Sequence, residues 1–219
     1  MSEQNQEPIR RSCVDCGNTN CNLEQGEYPP FCMTTHIDEA VLAEAMAEYE
    51  KEDIRLLAVS AAEVEADNYM KMTRLEETIA FANKIGAKKI GIGTCAGLIG
   101  ETRILTKILR KKGFAVFGIV CKCGTQKKVS IGVPERCTAL GENMCNPILQ
   151  AKYLNHEKTD LNILMGLCVG HDSLFYQYCE APVTTLVTKD RVLAHNTVAA
   201  LYQADKYYAR LLKEDGKQQ

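Results

Sequence analysis

Hydrophobic and polar residues follow two alternating patterns along most of the chain. Short runs that are apolar throughout predict buried β-strands at residues 54–62, 88–95, 114–121, 161–168 and 182–189. Between them, apolar residues recur three or four positions apart and predict helices at residues 38–53, 74–87, 98–113, 147–157, 171–180 and 196–215. Apolar strands that alternate with helices are typical of a parallel sheet covered on both faces. We therefore predict an α/β fold with a doubly wound, mostly parallel sheet.

The first part of the chain does not follow this pattern. Residues 1–37 are polar, contain several Gly, Asn and Pro residues, and include four cysteines. Such a segment has too few apolar side chains to build its own core, but a bound metal can supply the missing stability. We predict two parts: a small cysteine-rich, metal-binding segment at residues 1–37 and an α/β domain at residues 38–219.

The charge balance and the cysteine content narrow the function classes. The 219 residues carry a formal net charge of −2, so neither nucleic acid nor an anionic membrane is expected as a partner. The polar start and the lack of a long apolar run predict a cytoplasmic protein. Cytoplasmic thiols stay reduced, so the 11 cysteines are better explained as metal ligands or redox groups than as disulfides.

Four cysteines near the amino terminus have the spacing of a metal site. Cys13, Cys16, Cys21 and Cys32 form a C-x2-C-x4-C-x10-C array. Four thiolates suit either tetrahedral zinc or a cubane iron–sulfur cluster. Three ligands close together and a remote fourth favour the cluster, since structural zinc usually has two paired knuckles. We predict a [4Fe–4S] cluster here, with zinc as the alternative.

A second group of cysteines lies where predicted strands end, or in the long loop 123–145 that follows one of them. These six are Cys95, Cys121, Cys123, Cys137, Cys145 and Cys168. The carboxyl ends of parallel strands meet at the crevice where such sheets bind ligands, and we expect the loop to cover it. A single buried cysteine is often inert packing. Six exceed the four ligands of zinc, so we predict a second iron–sulfur cluster in the crevice.

One histidine follows the same edge of the predicted sheet. His171 comes shortly after Cys168 in the stretch GLCVGHDSLF, and we predict that it faces the crevice as a catalytic proton donor or as a ligand. The alternative is structural, since Asp172 or Ser173 can cap the helix that follows.

The stretch GIGTCA at residues 91–96 fits a dinucleotide-binding fingerprint. A nicotinamide site would need an acidic residue at the end of the next strand, but Cys121 and Lys122 stand there. We reject a nucleotide and expect the glycines to let the backbone approach a different anionic guest.

Several stretches resemble an uncharacterised family of anaerobic bacteria and archaea that is described only as predicted metal-binding. The matching pieces are CVDCG with the two later cysteines, GIGTCAGL, VCKCG and the tail GLCVGHDSLFYQYCEAPVTTLVTKDRVLAHN at residues 166–196. They span nearly the whole chain, and the tail is the most specific of them. The resemblance implies metal binding at the cysteines named above and no particular reaction. Anaerobic occurrence would suit oxygen-sensitive clusters.

These observations predict an iron–sulfur redox protein. Electrons would enter at the amino-terminal cluster and reach a small-molecule substrate or a redox partner protein at the crevice. One alternative is a non-enzymatic metal sensor or carrier, in which zinc holds the first segment and the crevice thiols bind a soft metal. Another is sulfur transfer through a persulfide on a crevice cysteine. The tyrosines of the last predicted helix are expected to pack on the core or on a second subunit, as in a homodimer.

Overall fold

The computed structural model describes residues 10–18, 21 and 26–213. The chain forms two compact units, Met1–Val59 and Ser60–Gln219. Composition placed the boundary after residue 37 instead, and that division stays a prediction. Across the described ranges, no helix combines the length and the apolar character needed to cross a membrane.

Two helices follow the cysteine-rich segment. Helix α1 spans Glu39–Glu48 and helix α2 spans Glu52–Asn68. The run at residues 54–62, predicted as a strand, lies inside α2, so that prediction is wrong. The buried residues of α2, Ser60 and Val64, are four positions apart, as one face of a helix requires. A short apolar run does not by itself distinguish a strand from a helix, and the acidic residues in the first turn favour the helix.

The second unit is built on a sheet of four parallel strands. They are β1 (Lys89–Thr94), β2 (Ala115–Val120), β3 (Leu161–Met165) and β4 (Val183–Val187). The spatial order is β2-β1-β3-β4, and every pair of neighbours is parallel. The chain passes from β1 to β2 on one side and then returns across β1 to β3 on the other. The topological switch point therefore lies between β1 and β3.

Helices cover both faces of the sheet. They are α3 (Arg74–Lys84), α4 (Ile99–Lys111), α5 (Pro147–His156) and α6 (His171–Tyr178). Ile79 of α3 packs with Ile92 of β1 in one core cluster, which also contains residues of α4. Phe175 of α6 packs with Ile119 of β2 in the other, together with residues of α5. The predicted α/β fold with a parallel sheet is confirmed.

The glycines of β1 let α6 pack directly on the strand. A Cβ atom at Gly93 would lie 2.5 Å from ring carbon Cε2 of Phe175, closer than packed atoms approach. The expectation that these glycines admit an anionic guest is therefore wrong for Gly93, because the Phe175 ring occupies that face. Phe175 and His171 are four residues apart on α6, so the same packing brings His171 to the carboxyl end of the sheet.

The carboxyl-terminal segment contains less helix than predicted. Helix α7 is short (Val198–Tyr202), and a 3-10 helix covers Ala209–Leu212. The continuous helix predicted for residues 196–215 is therefore wrong, and its last two residues lie outside the described residues. The large apolar side chains of this segment are mostly exposed: Leu201, Tyr202, Tyr207, Leu211 and Leu212. A long helix would be stabilised mainly by burying such residues, and here they face solvent.

Candidate functional site at the carboxyl edge of the sheet

Cys95 and Cys121 follow the ends of neighbouring strands and lie side by side. Thr94 of β1 pairs with Val120 of β2, and the amide of Cys121 donates to the carbonyl of Thr94 at 2.9 Å. Residues in register on adjacent parallel strands point to the same face, so Cys95 and Cys121, one position further on, share a face. Both are buried, with exposed fractions of 8% and 2%.

A buried glutamine holds the two strand ends together. Gln150 of α5 is fully buried, and its Nε2 donates to the carbonyls of Thr94 at 2.9 Å and of Ile119 at 2.7 Å. These carbonyls lie just before Cys95 and Cys121 in the chain. Gln150 therefore fixes the separation of β1 and β2 at the point where the two cysteines follow.

Cys145 joins this pair from the start of α5. The amide of Asn146 donates to the carbonyl of Cys121 at 2.8 Å, and the Asn146 side chain accepts from the amide of Leu149 at 2.9 Å. Asn146 thus caps α5, which has Pro147 at its first position. Cys145 is half-buried and packs on the core cluster that contains Cys121.

The sulfurs of Cys95, Cys121 and Cys145 form a hydrogen-bonded thiol row with Cys121 in the middle. The hydrogen bond from Cys121 lowers the pKa of Cys95 from 9.0 to about 4, against the opposing effect of burial. Cys121 and, after it, His171 lower the pKa of Cys145 to about 3. The bonds to Cys145 and Cys95, together with burial, raise the pKa of Cys121 far above its usual range. The thiol row therefore holds one neutral thiol between two thiolates, and the single S–H of Cys121 donates to one of them at a time.

His171 lies against the outer thiolate of the row. Its hydrogen bond with Cys145 raises the pKa of the imidazole, although burial opposes the rise. The charge of Lys122 also favours the Cys145 thiolate, and Lys122 is held in place by the carbonyl of Asn143. The contact with His171 thus favours the Cys145 thiolate, and the contact with Cys145 favours the protonated imidazole.

Two cations from the segment after β4 complete the site. Lys189 Nζ donates to Cys95 Sγ at 3.1 Å, and Arg191 Nη2 donates to Cys168 Sγ at 3.0 Å. The bond to Cys168 raises the pKa of Arg191, and the charges of Cys95 and Cys145 add to that rise. Arg191 therefore links the half-buried Cys168 to the neighbourhood of the thiol row.

The other two cysteines predicted for the crevice, and Cys179 after α6, are not members of the thiol row. Cys123 is exposed, and Cys137 is half-buried in the loop after β2, where its carbonyl accepts from Lys128 Nζ. Cys179 follows α6 and packs against the core, and burial raises its pKa to about 11. Of the six cysteines predicted to share a site, the structure joins three in the thiol row and places a fourth, Cys168, beside it.

The four amino-terminal cysteines line one cavity of about 190 Å³. Its lining consists of Ser12, Cys13, Cys16, Asn18, Cys21, Phe31, Cys32 and Met33. The Cys16 thiol donates to the carbonyl of Asn18 at 2.8 Å. Burial opposes the ionisation of Cys32, but hydrogen bonds from the amides and hydroxyls of Thr35 and Thr34 outweigh it and lower the pKa of that thiol.

These four cysteines line the same cavity, but their side chains are not arranged to coordinate a metal ion. Within residues 10–18, 21 and 26–213, no three Cys, His, Asp or Glu side chains have the arrangement that holds a metal ion. What the structure shows is a common cavity for the four predicted ligands.

Comparison with known proteins places the chain in a family. Residues 32–186, more than half of the chain, match the profile of DUF1847, described as a protein of unknown function. The chain belongs to the DUF1847 family. This DUF1847 protein is 50% identical over 172 residues to the uncharacterized protein MJ0455 of Methanocaldococcus jannaschii. The aligned stretch covers 76% of this chain and 85% of that relative. The resemblance to an uncharacterised family is confirmed.

The region matched by the DUF1847 profile contains the thiol row and His171. It begins at Cys32, so the other three amino-terminal cysteines precede it, and it ends before Lys189 and Arg191. The family assignment therefore concerns the α/β fold and the thiol row, and it names no reaction.

Sequence reasoning missed three residues of this DUF1847 site: Gln150, Lys189 and Arg191. The two cations had a usable signal, because they follow β4 just as the cysteines follow β1, β2 and β3. The signal for Gln150 was weaker: it is a polar residue on the buried face of an amphipathic helix.

Proposed function

We propose that this protein is an iron–sulfur redox protein. The four amino-terminal cysteines, Cys13, Cys16, Cys21 and Cys32, would hold a [4Fe–4S] cluster, and the thiol row would carry out a reductive step. The observation that carries the proposal is the cavity that the four cysteines share. Such a cluster takes four thiolates and supplies electrons one at a time. The electrons would serve a small-molecule substrate or a redox partner protein.

The residues around the cavity suit an anionic cluster. Cys32, whose pKa is lowered by its neighbours, is prepared to bind as a thiolate. Phe31 and Met33 give the cavity apolar walls, which limit the access of water to a bound cluster. The guanidinium of Arg11 lies 5.5 Å from the centroid of the Phe31 ring, which lines the cavity.

The second cluster in the crevice stays a prediction, and the thiol row supports two competing uses. As ligands, these sulfurs would offer thiolates, the form that iron requires. As reactive groups, they would offer Cys145 with a proton donor in His171 and a neutral thiol in Cys121. The two uses exclude each other, because a sulfur bound to iron is not free to attack a substrate.

The metal content of protein purified without oxygen tests the proposal. We expect about four iron and about four acid-labile sulfide atoms per chain. Cys16→Ser should lose most of this iron, whereas Cys179→Ser, which alters a thiol packed in the α/β core, should keep it. Zinc in place of iron would contradict the cluster and favour the metal sensor or carrier. Iron well above one cluster per chain would support the second cluster.

Sulfur transfer is a second candidate, favoured by the position of Cys145. A half-buried thiolate beside a proton donor can accept and release a sulfane sulfur as a persulfide. The purified protein should then contain sulfur that cyanide removes as thiocyanate, and Cys145→Ser should contain none. The absence of such sulfur from wild-type protein would remove this candidate.

A further inference from the structure

We propose that the thiol row reduces small hydroperoxides, with Cys145 as the attacking thiolate and Cys121 as the thiol that resolves the oxidised intermediate. The inference rests on the proposed function only in placing a reductive step in the crevice, and it names the substrate class for that step. It does not depend on the amino-terminal cluster, because an external dithiol can return the oxidised protein to its reduced state.

Exposure decides which sulfur meets the substrate. Cys145 is half-buried, whereas Cys121 and Cys95 have exposed fractions of only 2% and 8%. A molecule as small as hydrogen peroxide therefore reaches Cys145 before the other two sulfurs. An accessible cysteine next to a second thiol is the arrangement found at many peroxide-reactive cysteines.

The resolving thiol is already in contact with the attacking one. Cys145 packs against the core cluster that contains Cys121, and the backbone bond from Asn146 to the Cys121 carbonyl holds the two chain segments together at 2.8 Å. Segments joined by backbone hydrogen bonds typically run about 5 Å apart, which is compatible with the Cα separation of about 4.4–6.8 Å in disulfides. A disulfide between Cys121 and Cys145 thus requires no large movement of the backbone.

The reaction balances with groups of this chain. The Cys145 thiolate attacks the outer oxygen of the hydroperoxide, the O–O bond breaks, and the alkoxide or hydroxide that leaves takes the proton of the His171 imidazolium. Cys145 becomes a sulfenic acid. Cys121 then attacks the Cys145 sulfur, the S–O bond breaks, and the Cys121 proton leaves with the hydroxide as water. Two electrons pass from the two sulfurs to the peroxide, and the products are an alcohol or water, a second water and a disulfide.

Cys95 and Lys189 position the resolving thiol. Lys189 Nζ holds Cys95 at 3.1 Å, and the Cys95 thiolate keeps a hydrogen bond to Cys121 when Cys145 is oxidised. Cys95→Ala should therefore slow the formation of the disulfide more than it slows the formation of the sulfenic acid. A merely structural role would affect both steps alike.

The test uses full-length protein purified without oxygen and reduced with dithiothreitol, which is then removed. One equivalent of hydrogen peroxide is added, and disulfides and dimedone-trapped sulfenic acids are located by peptide mass spectrometry. Wild-type protein should contain the Cys121–Cys145 link and lose a pair of titratable thiols. Cys121→Ala should lose a single thiol and carry dimedone on Cys145. Cys145→Ala should contain neither product.

Controls separate this proposal from failure to fold and from failure of the proposed function. Cys179→Ala should behave as the wild type, and circular dichroism establishes the fold of each variant. If Cys121→Ala does not fold, Cys121→Ser, which is closer to cysteine in size, replaces it and should likewise lose one thiol and carry dimedone on Cys145. Oxidation of Cys123 or Cys137 in place of Cys145 would overturn the proposal.

The iron content of the variants is the second decisive measurement. Loss of iron from Cys121→Ala and Cys145→Ala would identify these sulfurs as cluster ligands and overturn the peroxide reaction. A zinc-containing protein that still forms the Cys121–Cys145 link would support the peroxide reaction and contradict only the amino-terminal cluster.

Discussion

Lys189 Nζ donates to Cys95 Sγ at 3.1 Å and so connects the segment after β4 with the end of β1. These two strands are not neighbours, because β3 lies between them in the sheet. Arg191, two residues further on, reaches Cys168 after β3 in the same way. One short segment therefore places two positive charges against sulfurs that follow two different strands, and Lys189 offsets the negative charge of the Cys95 thiolate.

Replacing Lys189 by Met should weaken the Cys95 thiolate. We expect the pKa of Cys95 to rise from about 4 and to remain below 9.0, because the hydrogen bond from Cys121 is the larger cause of the shift. NMR titration of the cysteine Cβ resonances measures this change. Lys206→Met, an exposed cation of the carboxyl-terminal segment, is the matched control. An unchanged Cys95 titration in Lys189→Met would show that the lysine does not stabilise the thiolate.

The thiol row should make stability depend on pH in a defined direction. Between about pH 4 and pH 9.0 the unfolded chain keeps the Cys95 proton and the folded chain does not, so the free energy of unfolding should rise with pH. Cys145 acts in the same direction. Cys121 acts in the opposite direction above pH 9.0, because it stays protonated only when folded.

Denaturant unfolding of reduced protein at several pH values tests this dependence. Cys95→Ala should flatten the rise between about pH 4 and pH 9.0, because it removes one of the two depressed groups. Cys179→Ala should keep the rise, since the pKa of Cys179 is shifted upward. Equal slopes for wild type and Cys95→Ala would contradict the ionisation assigned to the thiol row.

The sequence predicts where in the fold the site lies better than it predicts which residues of the site contact each other. The ends of three parallel strands correctly located Cys95, Cys121 and Cys168, because parallel strands share one carboxyl edge. Spacing could not separate Cys145 from Cys137 in the same loop, since only the backbone bond from Asn146 to Cys121 places Cys145 in the row. The strand predicted at residues 54–62 failed for a related reason. Its apolar run fits both the two-residue repeat of a strand and the 3.6-residue repeat of a helix. The burial of Ser60 and Val64, four positions apart, identifies the helix.

Gln150 should be necessary for the geometry of the two strand ends. Gln150→Leu removes the side-chain donor from the carbonyls of Ile119 and of Thr94, which still accepts from the Cys121 amide, and we expect it to lower the free energy of unfolding by about 1–2 kcal/mol. Denaturant unfolding measures the loss. Gln203→Leu, at an exposed position, serves as the control. Wild-type stability of Gln150→Leu would mean that β1 and β2 keep their separation without the glutamine.

Removal of metal should loosen the cysteine-rich segment and spare the sheet. Among the described residues before α1, Cys32 is the one buried side chain, so a bound metal would supply most of the order there. Chelated protein should be cut by chymotrypsin at Phe31 faster than metal-loaded protein. The thermal unfolding of the α/β unit, followed by circular dichroism, should change little. Equal cleavage rates with and without metal, or no recovery of protection when metal is returned, would contradict a metal-held segment.

Gly93 tests the link between strand packing and the thiol row. Gly93→Ala places a Cβ 2.5 Å from the Phe175 ring, and overpacking of this kind costs about 1–3 kcal/mol of folding free energy. Gly100→Ala, in α4 with open space around it, should instead be neutral or stabilise by up to about 1 kcal/mol. Denaturant unfolding of the two variants compares these effects.

Gly93→Ala should also displace His171. Phe175 and His171 lie on one face of α6, so a ring pushed away from β1 carries His171 away from Cys145. The pKa of His171, now raised by Cys145, should then fall towards its ordinary value in an NMR titration of Gly93→Ala. A destabilised Gly93→Ala with an unshifted His171 would mean that α6 yields locally at Phe175 and that other contacts hold the imidazole against the thiolate.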